Sequence, residues 1–313
     1  MSPASPSEDQ PVTPLPVHAD LGEVNPSSEV CQRWANRQHS WVRRRAGGFD
    51  ADRYLVAPVA ESVAKTYVLA NHYAQSYPAA SRRYGLFLDT DDGPDLLGVA
   101  VFGIPAQARV LSNVFPDLQP YVQSLELSRF VLEGDTLARP GAPAPGLGRA
   151  PGNSESWFLA RCFEYLAADG VVGVVSFADP VPRVVAGQLL FPGHRGVIYQ
   201  ASGALFTGRG TARTIIVLPD GTSLSERSLQ KVRRGEQGHE YVERRLVAAG
   251  APAPHAGEGP GAWLLGALED AGARRLRHRG CFRYAMVTSA SARRRVRVGQ
   301  AGLPYPKDVD GPW

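Results

Sequence analysis

The stretch VVGVVSFADP, residues 171–180, decides the fold. Its first five residues are Val or Gly, and a continuous apolar run of this kind predicts a strand that is covered on both faces of a sheet. The run leads directly into Ser176, Phe177, Asp179 and Pro180. Because α/β proteins commonly place chemical groups at the ends of sheet strands, Asp179 is the first candidate for a functional carboxylate.

The segments on both sides of this strand alternate between strand and helix patterns. Upstream, a helix is predicted from about residue 155 to Gly170, with Asn153, Ser154 or Ser156 as its cap. Other expected elements before it are a strand at 54–59, a helix at about 61–73, a hairpin at 86–104 and a central strand at 125–132. Those after it are a short helix at 182–191, strands at 196–206 and 211–219, charged helices within 225–250, a helix at 264–276 and a last strand at 281–289.

This order predicts a mixed α/β fold with a mostly antiparallel sheet flanked by helices. Residues 1–30 are rich in Pro, Ser and acidic residues, which predicts a disordered tail. We expect a catalytic domain at 31–220. Residues 221–313 are then a helical and basic C-terminal extension that packs on the core.

Composition restricts the cellular setting. No apolar run approaches the roughly 18 residues that cross a bilayer, and the first residues lack the pattern of a targeting signal. Cys31, Cys162 and Cys281 are far apart and have no Cys/His ligand spacing. We therefore expect a soluble protein in a reducing compartment, without a disulfide or zinc scaffold and without a membrane partner.

The charge is unevenly distributed. The whole chain carries +4, but residues 1–30 hold five acidic and no basic residues, which leaves +9 on the remainder. Residues 274–297 contain nine arginines and no acidic residue. Such a run with interleaved aromatic residues predicts contacts with the phosphates of double-stranded DNA, although a solvated basic face would look alike. The candidate DNA-binding residues here are Arg274, Arg275, Arg293 and Arg294.

The glycine-rich segment GLGRAPGNSES, residues 146–156, precedes the predicted helix. This arrangement is similar to the GCN5-related N-acetyltransferase (GNAT) fold, in which a loop and a helix N-terminus hold the pyrophosphate of acyl-CoA. The resemblance implies an acyl-CoA-type small-molecule donor. The usual Arg/Gln-x-x-Gly-x-Gly/Ala signature of that fold is not matched cleanly.

A more specific likeness lies in an ordered set of motifs within residues 54–218. The set resembles the phage Mom family of DNA-modifying proteins, which carry a GNAT-like core, and HRGCFRY at 278–284 adds weaker support. The resemblance implies conversion of adenine in duplex DNA to an N6-carbamoylmethyl derivative, as protection against restriction. It also implies a phage or prophage protein that acts in the cytoplasm of a bacterial host. The motifs are NHY (71–73), LELSRF (125–130), NSESWFLAR (153–161), VSFADP (175–180) and GVIYQASG (196–203).

By matching position, the resemblance implies that Asp179, His72 and Tyr73 are catalytic. A carboxylate that accepts a proton from adenine N6 assists attack by this weak nucleophile, so Asp179 is assigned that role. The alternative is an Asp-Pro pair that only starts a turn. His72 and Tyr73 orient or stack on the base, and His72 with Asp179 is a candidate metal pair; the alternative for His72 is an ordinary capped residue.

The implied donor-binding residues are Arg129, Ser154 and Asn153. Arg129 contacts phosphate or donor, or else it forms a structural ion pair with Glu126 or Glu133. Ser154 either caps its helix or contacts the donor. Tyr199 is expected to stack on a base flipped out of the duplex, and its alternative is core packing.

Two other functions fit the same sequence. One is a conventional GNAT acyltransferase acting on an amine of a protein or small molecule. The other is a DNA-binding protein without catalytic activity. The glycine-rich loop disfavours the second and the basic C-terminal segment disfavours the first.

Overall fold

The structure is a computed structural model that describes residues 30–35, 38–43, 49–74, 76–133, 150–185, 188–255 and 257–311. The predicted tail at 1–30, apart from Val30, lies outside the described residues. Most of the glycine-rich loop, residues 134–149, also lies outside them.

The main sheet has seven strands in the order β10-β14-β7-β6-β5-β4-β3. Smaller sheets are formed by β1-β2, by β8-β9 and by β12-β11-β13. The described strands are β1 Val30–Ala35, β2 Gln38–Arg43, β3 Tyr54–Pro58, β4 Ala80–Leu88, β5 Asp95–Gly103, β6 Ser124–Leu132, β7 Gly173–Ala178, β8 Arg183–Val185, β9 Gln188–Phe191, β10 Leu205–Arg209, β11 Arg213–Val217, β12 Ser223–Leu224, β13 Arg274–His278 and β14 Phe282–Val287.

Helices cover the sheets. A short 3₁₀ turn at Ala51–Arg53 precedes β3. The described α-helices are α1 Glu61–Asn71, α2 Arg109–Ser112, α3 Ser154–Ala168, α4 Val197–Ala201, α5 Glu226–Arg234, α6 Glu240–Ala248, α7 Pro260–Asp270 and α8 Ala290–Arg293. None of the helices in the described part of the chain has the length and apolar character that crossing a membrane requires.

The quoted stretch forms β7, as predicted, and lies in the interior of the main sheet. It pairs in parallel with β6 and antiparallel with β14, and five of its six residues are buried. The parallel pairing follows from the crossover through α3, since two parallel neighbours cannot be joined by a hairpin. All other pairs in the main sheet are antiparallel. The predicted α/β class with a mostly antiparallel sheet flanked by helices is therefore confirmed.

The helix expected at 264–276 ends at Asp270, and Arg274 begins strand β13. Two further local predictions were wrong. Arg183–Val185 and Gln188–Phe191 form the antiparallel strands β8 and β9 and not a helix, and residues 197–201 form helix α4 and not a strand. Short apolar runs fit either structure by periodicity alone. In the second case Gly196 decides the outcome: its φ of +73° starts α4, and a Cβ there would lie 2.7 Å from the Tyr199 and Tyr284 rings.

A second core lies between the β12-β11-β13 sheet and helices α5, α6 and α7. It is built by Leu229, Val232, Leu246, Trp263 and Leu264. From β13 the chain turns directly into β14, which is the second strand of the main sheet. The segment predicted as a C-terminal extension thus contributes a strand to the main sheet, while the proposed domain limits stay a prediction.

Candidate functional site

Asp179 follows β7 directly and is the centre of a charged cluster. Its Oδ1 accepts hydrogen bonds from His278 Nε2 at 3.0 Å and from the Val181 backbone N–H at 3.1 Å. Its Oδ2 accepts from Arg183 Nη2 in an ion pair. The hydrogen bond from Val181 fits the Asp-Pro alternative, while the catalytic role of the carboxylate stays a prediction.

The hydrogen bond at His278 Nδ1 shows which ring nitrogen carries the proton. His278 Nδ1 accepts a hydrogen bond from the Gly280 backbone N–H at 3.0 Å, so this nitrogen carries no proton. The proton of the neutral ring then lies on Nε2, which donates it to Asp179. Because His278 is 1% exposed, this hydrogen bond holds the carboxylate in a fixed orientation.

The cluster keeps Asp179 ionised. Burial alone would raise the pKa of the carboxyl group, but the hydrogen bond from His278 and the charge of Arg183 lower it to about 2. A carboxylate offers about four lone-pair positions, and three are used here. Asp179 can therefore accept one further N–H, although its low pKa makes it a weak proton acceptor.

An aromatic stack lies beside this cluster. The Tyr73 ring stacks on His72 and on Phe191, each at 4.3 Å between centroids, and lies 5.0 Å from Trp34. Arg183 lies over the Phe191 ring at 4.6 Å. The stack thus connects the ion pair of Asp179 to the end of α1.

His72 is the C-terminal cap residue of α1 and is 6% exposed. Its Nδ1 accepts a hydrogen bond from the Ala74 N–H at 3.1 Å. Burial, followed by the charges of Arg129 and His194, holds the pKa of His72 well below its usual value. Burial also lowers the pKa of His194 to about 4, partly offset by Asp179. Both rings are therefore neutral at pH 7.

Two cavities meet at Tyr73. The smaller, of about 110 Å³, lies between β6 and α4 and is lined by His72, Glu155, His194 and Tyr199 among others. The larger, of about 380 Å³, contains Asp179, Arg183 and His278. Tyr73, Leu127, Ser128 and Phe177 line both. The arrangement offers an apolar, aromatic chamber next to a charged one.

Arg129 lines the larger cavity. Its Nε donates to the Ser76 carbonyl at 3.0 Å and its Nη2 to Ser76 Oγ at 2.7 Å, while Nη1 donates to the Ser128 carbonyl at 2.6 Å. Burial is the main cause that lowers the pKa of Arg129. The guanidinium is fixed by these oxygens, and no carboxylate of the described residues lies within 4.0 Å of it.

The start of α3 is occupied by side chains. Ser154 is buried, and its Oγ donates to the Pro151 carbonyl at 2.7 Å and accepts from Arg33 Nη2 at 3.4 Å. Arg33 is fully buried and forms an ion pair with Glu155 at 2.9 Å. Asn153 stands at the cap position with a φ of +77°, but its side chain makes no capping hydrogen bond. The donor roles of Ser154 and Asn153 stay predictions.

Tyr199 lies on α4 and belongs both to the main core and to the wall of the smaller cavity. Its ring centroid is 5.4 Å from that of Tyr284. Burial raises the pKa of Tyr199 to about 12. The core-packing alternative is observed for Tyr199, and its stacking on a flipped base stays a prediction.

Cys281 joins Asp179 and His278 as a group of three metal-ligand types whose atoms lie within 4.8 Å of one another. His72, the predicted metal partner of Asp179, is not part of this group. Burial and the charge of Asp179 raise the pKa of Cys281 to about 11, and His278 points its proton at Asp179. As arranged, His278 and Cys281 carry protons while Asp179 is ionised, and a metal ion would have to displace those two protons.

Sequence reasoning missed Arg183, His194 and Phe191 as parts of this site. His278 and Cys281 lie within HRGCFRY, the motif that carried only weak support. Arg183 could have been found from its position four residues after Asp179, but a predicted helix was assigned there. Phe191 and His194 come from the hairpin and loop that the same error concealed.

The arginine run 274–297 does not form one face. Arg274 and Arg275 are exposed on β13, whereas Arg293 and Arg294 lie at the end of α8. The preceding strand ends at Val287, which pairs with Gly173 at the start of β7. Asp179 follows the other end of β7, about 17 Å away at 3.3 Å per residue.

The chain is similar to a known protein family and to a solved structure. No curated protein matches the chain. Among solved structures, a tandem GNAT protein from the clavulanic acid biosynthesis pathway (without AcCoA) is similar at 10% identity and a TM-score of 0.34, covering 75% of this chain and 99% of that one. A model of the Mom protein family matches residues 53–307. Because this match spans most of the chain, the protein belongs to the Mom protein family.

Proposed function

We propose that this protein is a transferase that substitutes the N6 amino group of adenine in duplex DNA with a carbamoylmethyl-type group and so protects the DNA from restriction. Membership in the Mom family supports a DNA-modification protein. The observation that carries the finer proposal is the pair of chambers that meet at Tyr73, one aromatic and one charged.

The larger chamber suits a flipped adenine. Duplex DNA leaves no room for a donor and an active site around N6, so enzymes that modify bases turn them out of the stack. In this chamber Tyr73 forms part of the wall and Asp179 offers one open lone-pair position. Asp179 then accepts one N6–H and directs the nitrogen lone pair toward the smaller chamber.

The smaller chamber suits the donor. It lies between β6 and α4 at the start of α3, which is where the GNAT resemblance implies the acyl-CoA-type donor. In the reaction a bond forms between N6 and the donor carbon, the bond from that carbon to its leaving group breaks with its electron pair going to the leaving group, and the proton lost from N6 passes to that leaving group. The neutral His72 and His194 line this chamber, and His72, whose Nδ1 accepts from the Ala74 N–H, can donate a hydrogen bond from Nε2 without placing a charge there.

The proposal is tested by comparing the wild type with Asp179→Ala and Asp179→Asn in a bacterial host. Plasmid DNA recovered from cells with the wild type resists an endonuclease whose site contains adenine. Both folded variants retain DNA but leave the plasmid sensitive. Full resistance with either variant removes Asp179 from the mechanism.

The two alternative functions, a conventional acyltransferase and a DNA-binding protein without catalytic activity, give different results with the same purified protein. A conventional acyltransferase binds acyl-CoA tightly and retains DNA no better than an uncharged control protein. A binding protein without activity retains DNA and leaves its mass unchanged.

A further inference from the structure

A basic groove of about 850 Å³ lies between α1 of the main fold and helices α5 and α6 of the second core. Its walls hold five cationic side chains and no carboxylate. We call it the α1–α6 groove; its basic lining residues are Lys65, Arg227, Lys231, Arg244 and Arg245. Two of the three lysines in the whole chain are in this set.

Most of this charge is not neutralised within the described residues. Arg227 is paired with Glu236 at 2.7 Å, and Arg245 lies over the Tyr241 ring at 5.5 Å. No carboxylate of the described residues is within ion-pair distance of Lys65, Lys231 or Arg244. Like charges gathered without counter-charges repel one another, so the groove is suited to a polyanion.

The groove continues into the larger chamber. Ser76, Ser228 and Tyr241 line both spaces. Ser76 also accepts two hydrogen bonds from Arg129, so the wall between them is fixed. A chain lying in the groove therefore contacts residues that also line the chamber of Asp179.

Aromatic residues interleave with the cations. Tyr77 lines the groove next to Lys65, and its hydroxyl group is buried without a hydrogen-bond partner. Tyr241 presents its ring on the opposite wall. Grooves that combine cations with aromatic faces are typical of sites that follow a nucleic-acid strand, because phosphates pair with the cations and bases stack on the rings.

We propose that the α1–α6 groove binds the phosphate backbone of the DNA strand next to the target base. This inference rests on the proposed function, which makes DNA the substrate. It assigns the phosphate contacts to a surface other than Arg293 and Arg294, which lie at the far end of the main sheet from Asp179.

The test measures binding of the full chain to a fluorescent, adenine-containing DNA duplex of 20 base pairs at several salt concentrations. Lys65→Ala/Arg244→Ala removes one exposed cation from each wall. Arg53→Ala/Arg109→Ala removes two exposed cations that do not line the groove and serves as the charge-matched control. Lys65→Arg/Arg244→Lys keeps both charges.

The groove variant is expected to bind more weakly and to reduce the slope of log K against log salt by about 1.8, at about 0.9 per lost phosphate contact. The control and the charge-conserving variant keep the wild-type slope. Equal slopes for the groove variant and the control overturn the groove assignment while leaving DNA as the substrate. A loss seen only with Arg293→Ala/Arg294→Ala also overturns it. Absence of DNA binding by the wild type overturns the groove and the proposed function together.

Discussion

Replacing Asp179 with Asn should change stability in a way that depends on pH. The carboxyl pKa is 3.8 without the protein environment and about 2 within it, because the His278 hydrogen bond and the Arg183 charge outweigh the opposing effect of burial. At 1.36 kcal/mol per pKa unit this difference is worth roughly 2 kcal/mol of folding free energy. The Asn variant loses this contribution and also leaves the buried Arg183 without its counter-charge.

The contribution of Asp179 to stability falls at low pH because its pKa is lowered in the folded protein. The stabilisation is fully present above the unfolded-state pKa and is lost as the pH falls through 3.8 toward 2. At pH 3 about half of the roughly 2 kcal/mol has gone, whereas the cost of the unpaired Arg183 persists.

Urea unfolding at pH 7 and pH 3 measures this loss of stabilisation directly. The wild type should exceed Asp179→Asn in unfolding free energy at pH 7, and the gap should narrow by about 1 kcal/mol at pH 3. Both proteins share all other carboxylates. The protonation of those groups therefore cancels when the two unfolding free energies are subtracted. A gap of equal size at both pH values would refute the assigned interactions of Asp179 with His278 and Arg183.

Three further predictions concern neighbouring residues. Glu155→Gln removes the counter-charge of the fully buried Arg33 and should cost about 3 kcal/mol in urea unfolding, while Arg33→Met/Glu155→Leu should recover most of it; equal losses in the two proteins would contradict a buried ion pair. Cys281, whose pKa burial raises to about 11, should react with iodoacetamide at pH 8 roughly a hundredfold more slowly than in the urea-unfolded chain, and Asp179→Asn should speed that reaction; unchanged reactivity in the variant would exclude their coupling. Tyr73→Phe should modify DNA like the wild type, whereas Tyr73→Ala removes the ring that stacks on His72 and Phe191 beside the site and should lower the amount of modified adenine; equal modification by both would exclude a role of this stack in the reaction.

The fold class could be predicted because its signals are local. The unbroken apolar run of β7 and the helical pattern of α3 leave little choice, and together they require a parallel crossover next to β6. The β8-β9 hairpin and α4 could not be predicted, because short apolar segments carry no decisive period and Gly196 acts through its contact with Tyr199 and Tyr284.

The candidate site could be predicted only at its centre. Asp179 and Tyr73 stand out by strand position and by family resemblance, and the structure brings both to the same cavity wall. His278 reaches Asp179 from 99 positions along the chain, and this pairing exists only because β13 leads into β14 beside β7. Long-range register of this kind has no signature in a single sequence.

Mass spectrometry of nucleosides is the most direct test of the proposed adenine modification. The nucleosides are prepared from plasmid DNA recovered after expression of this protein in a bacterial host. We expect a deoxyadenosine heavier by about 57 Da, which is the mass gained when a carbamoylmethyl group replaces one hydrogen of a flipped base. Asp179→Asn, expressed and folded to the same level, should give only ordinary deoxyadenosine. Unmodified deoxyadenosine with the folded wild type would contradict the assignment of adenine N6 as the substrate.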